Sequence, residues 1–199
     1  ALIRQRQRDL QHEAAAFAVI GPIVETKFLA KTIPYLYEPS GVIPALPHAF
    51  GLVIAILTGY SFWMTLFGMK VGQARSKYCA LAEATGEKDL ERYRYPNLYV
   101  FGTSENAKAV NNAQRAHQHV LETITQMFFV SLISATAFPV TAAVSTLLWA
   151  WGRVGWSTAY LEHGPEKRYT HFLSVWIWRG LLINFLLSFI TAGCFLVSL

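Results

Sequence analysis

Residues 123–152 read TITQMFFVSLISATAFPVTAAVSTLLWAWG, a stretch without one charged side chain. About 20 apolar residues carry a helix across a bilayer, so this run is too long for one crossing. Pro139 divides it. Proline lacks an N–H and cannot sit inside a helix without breaking a hydrogen bond, so the run reads as two helices joined by a tight turn. Two further uncharged runs flank the pair: residues 49–69, which end at Lys70, and residues 180–199. The pattern predicts four spans, near 46–74, 107–138, 140–162 and 172–198. Backbone polar groups cannot stay unpaired in lipid, so runs of this length must be helical. The alternation of a membrane β-barrel is absent. The expected fold class is all-α integral membrane: a four-transmembrane-helix bundle over residues 46–199, preceded by an extension over residues 1–45.

Composition points the same way. The chain is 53 % hydrophobic and 15 % charged, where soluble domains carry about 25 % charge. A soluble bundle of the same length would show polar helix faces. The net charge is +5, with the basic residues at the margins of the apolar runs rather than in stripes interleaved with aromatics. That placement suits a bilayer as partner and argues against nucleic acid. Two cysteines, Cys79 and Cys194, cannot build a disulfide framework or a four-sulfur metal centre. His117 and His119 are two residues apart and face different ways on a helix, so no metal site is expected there.

The segment after the first span carries Lys70, Arg75, Lys77, Lys88, Arg92, Arg94 and Lys108, and the segment between the third and fourth adds Lys167, Arg168 and Arg179. The hairpin path puts both loops on one side of the membrane, with the Pro139 turn on the other. Arg4, Arg6, Arg8, Lys27 and Lys31 then fall on the side opposite the basic loops, against the usual bias. Within residues 1–45 the apolar stretch Ala14–Val24 is too short to span, and Gly21-Pro22 is expected to break it. An interfacial or partner-bound helix is the reading, followed by an irregular connection through Pro34, Pro39, Pro44 and Pro47. No secretory-signal pattern is present, and a start at Ala1 suits a presequence already removed.

Polar residues inside the second span carry the functional signal. Asn111, Arg115, His119 and Glu122 are spaced by four, four and three residues, which sets them on one helical face. Only 16 residues separate Glu122 from Pro139, too few to cross about 30 Å of hydrocarbon at 1.5 Å per residue. The span must include Glu122, and a carboxylate in lipid is a functional-site candidate by default. Arg153 lies 14 residues past Pro139, at matching depth on the antiparallel third span. Trp156 and Tyr160 share its face. An ion pair between Glu122 and Arg153 is expected, either as a structural tie or as the floor of a pocket with aromatic walls opening toward the basic side.

The segments Tyr95-Pro96-Asn97-Leu98-Tyr99, Gln114-Arg115-Ala116-His117-Gln118 with Leu121-Glu122, and Gly152-Arg153-Val154 with Pro165-Glu166-Lys167-Arg168 resemble the MAPEG family, the membrane-associated proteins of eicosanoid and glutathione metabolism. The resemblance runs over about residues 48–199, and the branch it is most similar to is microsomal glutathione S-transferase 3. It implies a homotrimer of four-helix bundles that binds glutathione as co-substrate between neighbouring subunits. It implies that Arg115 and Glu122 hold the tripeptide, with His119, Arg153, Trp156 and Tyr160 in the same site, and that Lys167 or Arg168 supplies the catalytic cation beside the sulfur. Such a cation lowers the thiol's pKa, and the thiolate is the nucleophile. The substrate implied is a lipophilic electrophile or lipid hydroperoxide reaching the site through the bilayer.

The chain departs from the family pattern at His119, where the motif has asparagine, at Trp156, where it has tyrosine, and at Thr125, where it has proline. Residues 79–92 are an insertion, and residues 1–45 have no counterpart. Two functions are therefore expected as alternatives. One is a glutathione transferase or peroxidase. The other is a non-catalytic accessory subunit of a larger membrane complex, meeting other chains through residues 1–45. The membrane is that of the endoplasmic reticulum or of an organelle, mitochondrion or plastid.

Overall fold

The computed structural model describes residues 2–42, 46–94 and 97–197, so Pro44 and the Tyr95-Pro96 part of the family motif lie outside the described residues. Five long helices organise the chain: α1 (Leu2–Val24), α2 (Phe50–Ala84), α3 (Glu105–Ala137), α4 (Pro139–His163) and α5 (Trp176–Val197). Helices α2 to α5 are the four expected spans. Phe50–Ala84, Glu105–Ala137 and Phe172–Val197 are long and apolar enough to cross a membrane. Helix α4 has the length, 25 residues, but Ser, Thr, Gly and Arg153 dilute its apolar character. Helix α2 runs to Ala84 rather than stopping near residue 74, because its last turns hold good helix formers and no Gly or Pro.

The Pro139 turn forms as expected. Pro139 opens α4 at the first helical position, where its missing N–H costs nothing. The buried carboxylate of Glu25 closes this helix end from another part of the chain. The backbone N–H groups of Val140 and Thr141 donate to Glu25 at 2.8 and 2.9 Å, and the Thr141 hydroxyl donates at 2.5 Å. Glu25 is 1 % exposed. An anion at a helix N-terminus satisfies orphan donors and meets the positive end of the dipole. Glu25→Ala is expected to destabilise the protein by about 3 kcal/mol, since charge-assisted bonds to buried donors are lost together. Glu25→Gln, which keeps one acceptor, should cost less than half of that. Thermal unfolding in detergent reads both.

The segment Gly21-Pro22 does not break the first helix, contrary to the sequence reading. Helix α1 runs through it, continues as a wider π-turn at Glu25–Leu29, and closes at Ala30–Thr32. The π-turn lies just after the proline, where the ladder of hydrogen bonds is interrupted. Gly21 serves a close approach instead: a Cβ there would lie 2.6 Å from Thr141 Cγ2. Ala14, Ala18, Pro22 and Glu25 form the buried face, and Ala14 packs with Phe138, Ile183 and Leu187. Tertiary contact overrides local breaking propensity here. The connection to α2 is irregular, as expected, and is held by backbone bonds such as Ala49 N–H to Leu36 O at 2.8 Å.

The chain divides into two compact units: Ala1–Tyr60 with Ile124–Gly152 and Val175–Leu199, and Ser61–Thr123 with Arg153–Ser174. In the first, α4 and α5 approach closely through small residues. A Cβ on Gly180 would lie 2.5 Å from the Ser145 carbonyl oxygen. Hydroxyls tie the helices: Ser134 Oγ donates to the Asn184 carbonyl at 3.0 Å and Thr146 Oγ1 to Ser131 Oγ at 2.9 Å. Small residues with polar ties are the standard means of holding helices together in lipid.

In the second unit the inserted segment folds back on its own chain. Ala82, Tyr93, Val100, Ala107 and Val110 make a small core. Glu87 gathers the loop. It accepts from Asn106 Nδ2 and Tyr93 Oη at 2.9 Å each, from Ser104 Oγ at 3.2 Å, and from Arg92. The hydrogen bond from Asn106, opposed in part by burial and joined by those from Tyr93, Arg92 and Ser104, holds the Glu87 carboxyl below its ordinary range. A depressed folded-state pKa stabilises above the unfolded value and is lost as pH falls through the folded one. The loop over residues 85–104 is therefore expected to open to proteases at acidic pH. Glu87→Gln should open it at neutral pH and flatten the pH dependence.

Candidate functional site

All eight residues singled out from the sequence lie in the second unit. They come from α3, α4 and the turn that follows α4. Helix α3 presents Arg115, His119, Glu122 and Thr123, helix α4 presents Arg153, Trp156 and Tyr160, and the turn Pro165–Lys167 carries Lys167 and leads to Arg168.

Arg153 is fully buried. Its Nη1 donates to His119 Nδ1 at 2.6 Å, and its Nη2 donates to Thr123 Oγ1. A guanidinium has only donors, so His119 accepts at Nδ1 and carries its proton on Nε2. The His119 ring stacks on Trp156 at 4.2 Å between centroids and 23° between planes. Trp156, 1 % exposed, also meets Tyr160 at 4.9 Å and the edge of Tyr169 at 6.5 Å. It is the hub that joins α3, α4 and the following turn. Its indole N–H is buried without a hydrogen-bond partner among the described residues.

Glu122 and Arg153 make bonds that the sequence reading did not foresee. Glu122 Oε1 accepts from Arg115 Nη1 at 2.6 Å on its own helix, each side chain 44 % exposed, while Arg153 is held by His119 and Thr123. The physical reason is local: Arg115 and Glu122 are seven residues apart, two turns on one face, and Thr123 is four after His119, which turns both of those toward α4. Thr123 was missed by sequence reasoning, although its i, i+4 spacing from His119 was the available signal. Tyr169 was missed for lack of any such signal.

Asn111, on the same face of α3, has a structural part. It accepts from the Val100 N–H at 2.8 Å and donates to the Val100 carbonyl at 2.9 Å, bracing the loop that leads into α3. His117 and His119 diverge as expected. His117 meets Phe67 of α2, ring centroids 6.0 Å apart. Lys167 and Arg168 are exposed, and the Arg168 guanidinium lies over the Tyr169 ring at 5.5 Å. Near them is an open groove of about 670 Å³ lined by Lys108, Asn112, Glu162, His163 and Glu166 among others. No group of three or more His, Cys, Asp or Glu side chains suited to a metal ion occurs among the described residues.

Three helices long and apolar enough to cross a membrane, with no strand among the described residues, define the class as an all-α membrane bundle. The chain matches the MAPEG family over residues 52–193 and belongs to that family. No solved structure matched the chain.

Proposed function

We propose that the protein is a membrane glutathione transferase or peroxidase whose ligand site is built on Arg115 and Glu122. The observation that carries this reading is their ion pair, open to the surface on a helix face that the spacing from Pro139 sets at membrane depth. Exposed charge in lipid is costly and is retained where a polar ligand uses it. Glutathione carries carboxylates for the Arg115 fork and an ammonium group for Glu122. Lys167 or Arg168 supplies the cation that favours thiolate over thiol. The thiol proton leaves to water. The sulfur then forms a bond to an electrophilic carbon while the leaving group departs with its electron pair. With a lipid hydroperoxide, sulfur takes the terminal oxygen, lipid alcohol is released, and a second glutathione reduces the sulfenic acid to give disulfide and water. A homotrimer would bring a neighbouring chain against the exposed pair and complete the site.

One observation favours the accessory-subunit reading in an endoplasmic reticulum or organellar membrane: the seam between α3 and α4 is already filled. Arg153 donates to His119 and Thr123, and Trp156 stands where the family motif has a hydroxyl-bearing ring. The lost hydroxyl contact would weaken glutathione binding by about 1–3 kcal/mol relative to members that keep it. Calorimetric titration of detergent-purified protein with glutathione, beside conjugation of a chloronitrobenzene, separates the readings. Saturable binding with turnover supports the enzyme. No binding at millimolar glutathione contradicts it and leaves the accessory role.

A further inference from the structure

We infer that Arg153 is a positioning residue for the Arg115–Glu122 site: it fixes the His119 imidazole with its proton on Nε2, so that this ring meets a bound ligand as a hydrogen-bond donor and takes one of its carboxylates. The identity of the ligand rests on the glutathione reading; the state of the ring does not. Arg153 comes from α4 and His119 from α3, and both lie in the second unit with Arg115, Glu122 and Thr123. The guanidinium is fully buried, its Nη1 lies 2.6 Å from His119 Nδ1, and its Nη2 donates to Thr123. A guanidinium keeps all its protons and accepts nothing, so Nδ1 presents a lone pair and the ring proton sits on Nε2. Two contacts keep the ring from turning over. The bond to Thr123 fixes the plane of the guanidinium, and the opposite face of the seam is Trp156, stacked on the imidazole at 4.2 Å and 23°. A flipped ring would set a C–H against Arg153 and leave a buried cationic donor unsatisfied.

The other edge of the ring belongs to the site. His119 is half-buried, and Nε2 is not among the sealed polar atoms that lack a partner. His119 stands four residues after Arg115 and three before Glu122, on one helical face. The ring is close enough to Arg115, Glu122 and Arg168 to feel their charges. A carboxylate seated on Arg115 therefore finds a second donor in His119 Nε2–H, while Glu122 is left as the acceptor for an amine. With the opposite tautomer the same edge would present a lone pair and repel that carboxylate. Arg153 touches no ligand in this arrangement. Beyond holding α3 to α4, it decides whether His119 donates or accepts.

The test is solid-state nuclear magnetic resonance of the full chain in lipid nanodiscs, with histidine ring nitrogens isotope-labelled. The His119 signals are identified by their loss in His119→Gln. The wild type is expected to show an unprotonated Nδ1 and a protonated Nε2, with the Nε2 signal shifting when glutathione is added. Arg153→Met, which fills most of the volume, should release the ring and give a signal averaged between the two tautomers. Calorimetry supplies the second readout. Glutamine carries an amide N–H at the place of Nε2, so His119→Gln should bind glutathione within about threefold of the wild type, whereas His119→Leu should lose roughly tenfold or more. A protonated Nδ1 in the wild type, or the same locked pattern in Arg153→Met, would overturn the proposal. So would equal glutathione affinity in the wild type and His119→Leu. Should the wild type bind no glutathione at all, the glutathione reading fails by itself. The ring spectra then decide for Arg153: a locked Nε2–H tautomer released by Arg153→Met sustains its part, and any other pattern ends it.

Discussion

Arg115→Ala is expected to abolish saturable glutathione binding while the protein still folds. A forked guanidinium–carboxylate contact out of bulk water is worth about 2–5 kcal/mol when one partner is truncated, or roughly 30-fold and upward in affinity. The fold should survive, because Arg115 and Glu122 are each 44 % exposed and an exposed ion pair contributes at most about 1 kcal/mol. Arg115→Lys keeps the charge but loses the fork, and should recover only part of the affinity. Calorimetry on the three proteins checks this. Equal affinity in the wild type and Arg115→Ala would remove Arg115 from the site.

Arg153→Ala should have the opposite character, with a large loss of stability whatever the ligand. The side chain is fully buried between α3 and α4 and donates to His119 and Thr123. Truncation leaves a cavity and strips two half-buried acceptors of their donor, at a cost of about 3–5 kcal/mol. For a chain of this size that lowers the unfolding midpoint by roughly 10 °C. Arg153→Met fills most of the volume and should cost about half as much. Thermal unfolding in detergent is the measurement, and an unchanged midpoint for Arg153→Ala would contradict a structural part for this charge.

The helices were legible because lipid makes the sequence signal coarse: uncharged runs and one proline placed α2 to α5 within a few residues, apart from the longer end of α2 at Ala84. The course of α1 was not legible. Gly21-Pro22 carries a strong local breaking signal, and what outweighs it is contact with Thr141 and the cap on Glu25, partners more than a hundred residues away. The face holding Arg115, His119 and Glu122 could be read from spacing, but the choice of partners could not. Matching depth pointed to Glu122 and Arg153, but not to the bonds of Glu122 with Arg115 and of Arg153 with His119 and Thr123. Helical phase decides that, and a single position of rotation separates Glu122 from Thr123 along α3. Within the insertion over residues 79–92, Glu87 and Arg92 form a cluster with Tyr93, Ser104 and Asn106. Nothing in the spacing of those residues marks them as neighbours before the loop is folded.

The central claim is that the exposed Arg115–Glu122 pair holds glutathione with its sulfur beside Lys167 or Arg168. Electron cryo-microscopy of the protein in lipid nanodiscs with saturating glutathione tests it most directly. The account predicts tripeptide density with a carboxylate on Arg115, the amine on Glu122 and the sulfur next to one of the two loop cations, at a boundary between identical chains. Acyl-chain density or a different protein chain against Arg115 and Glu122, with glutathione absent, would contradict it.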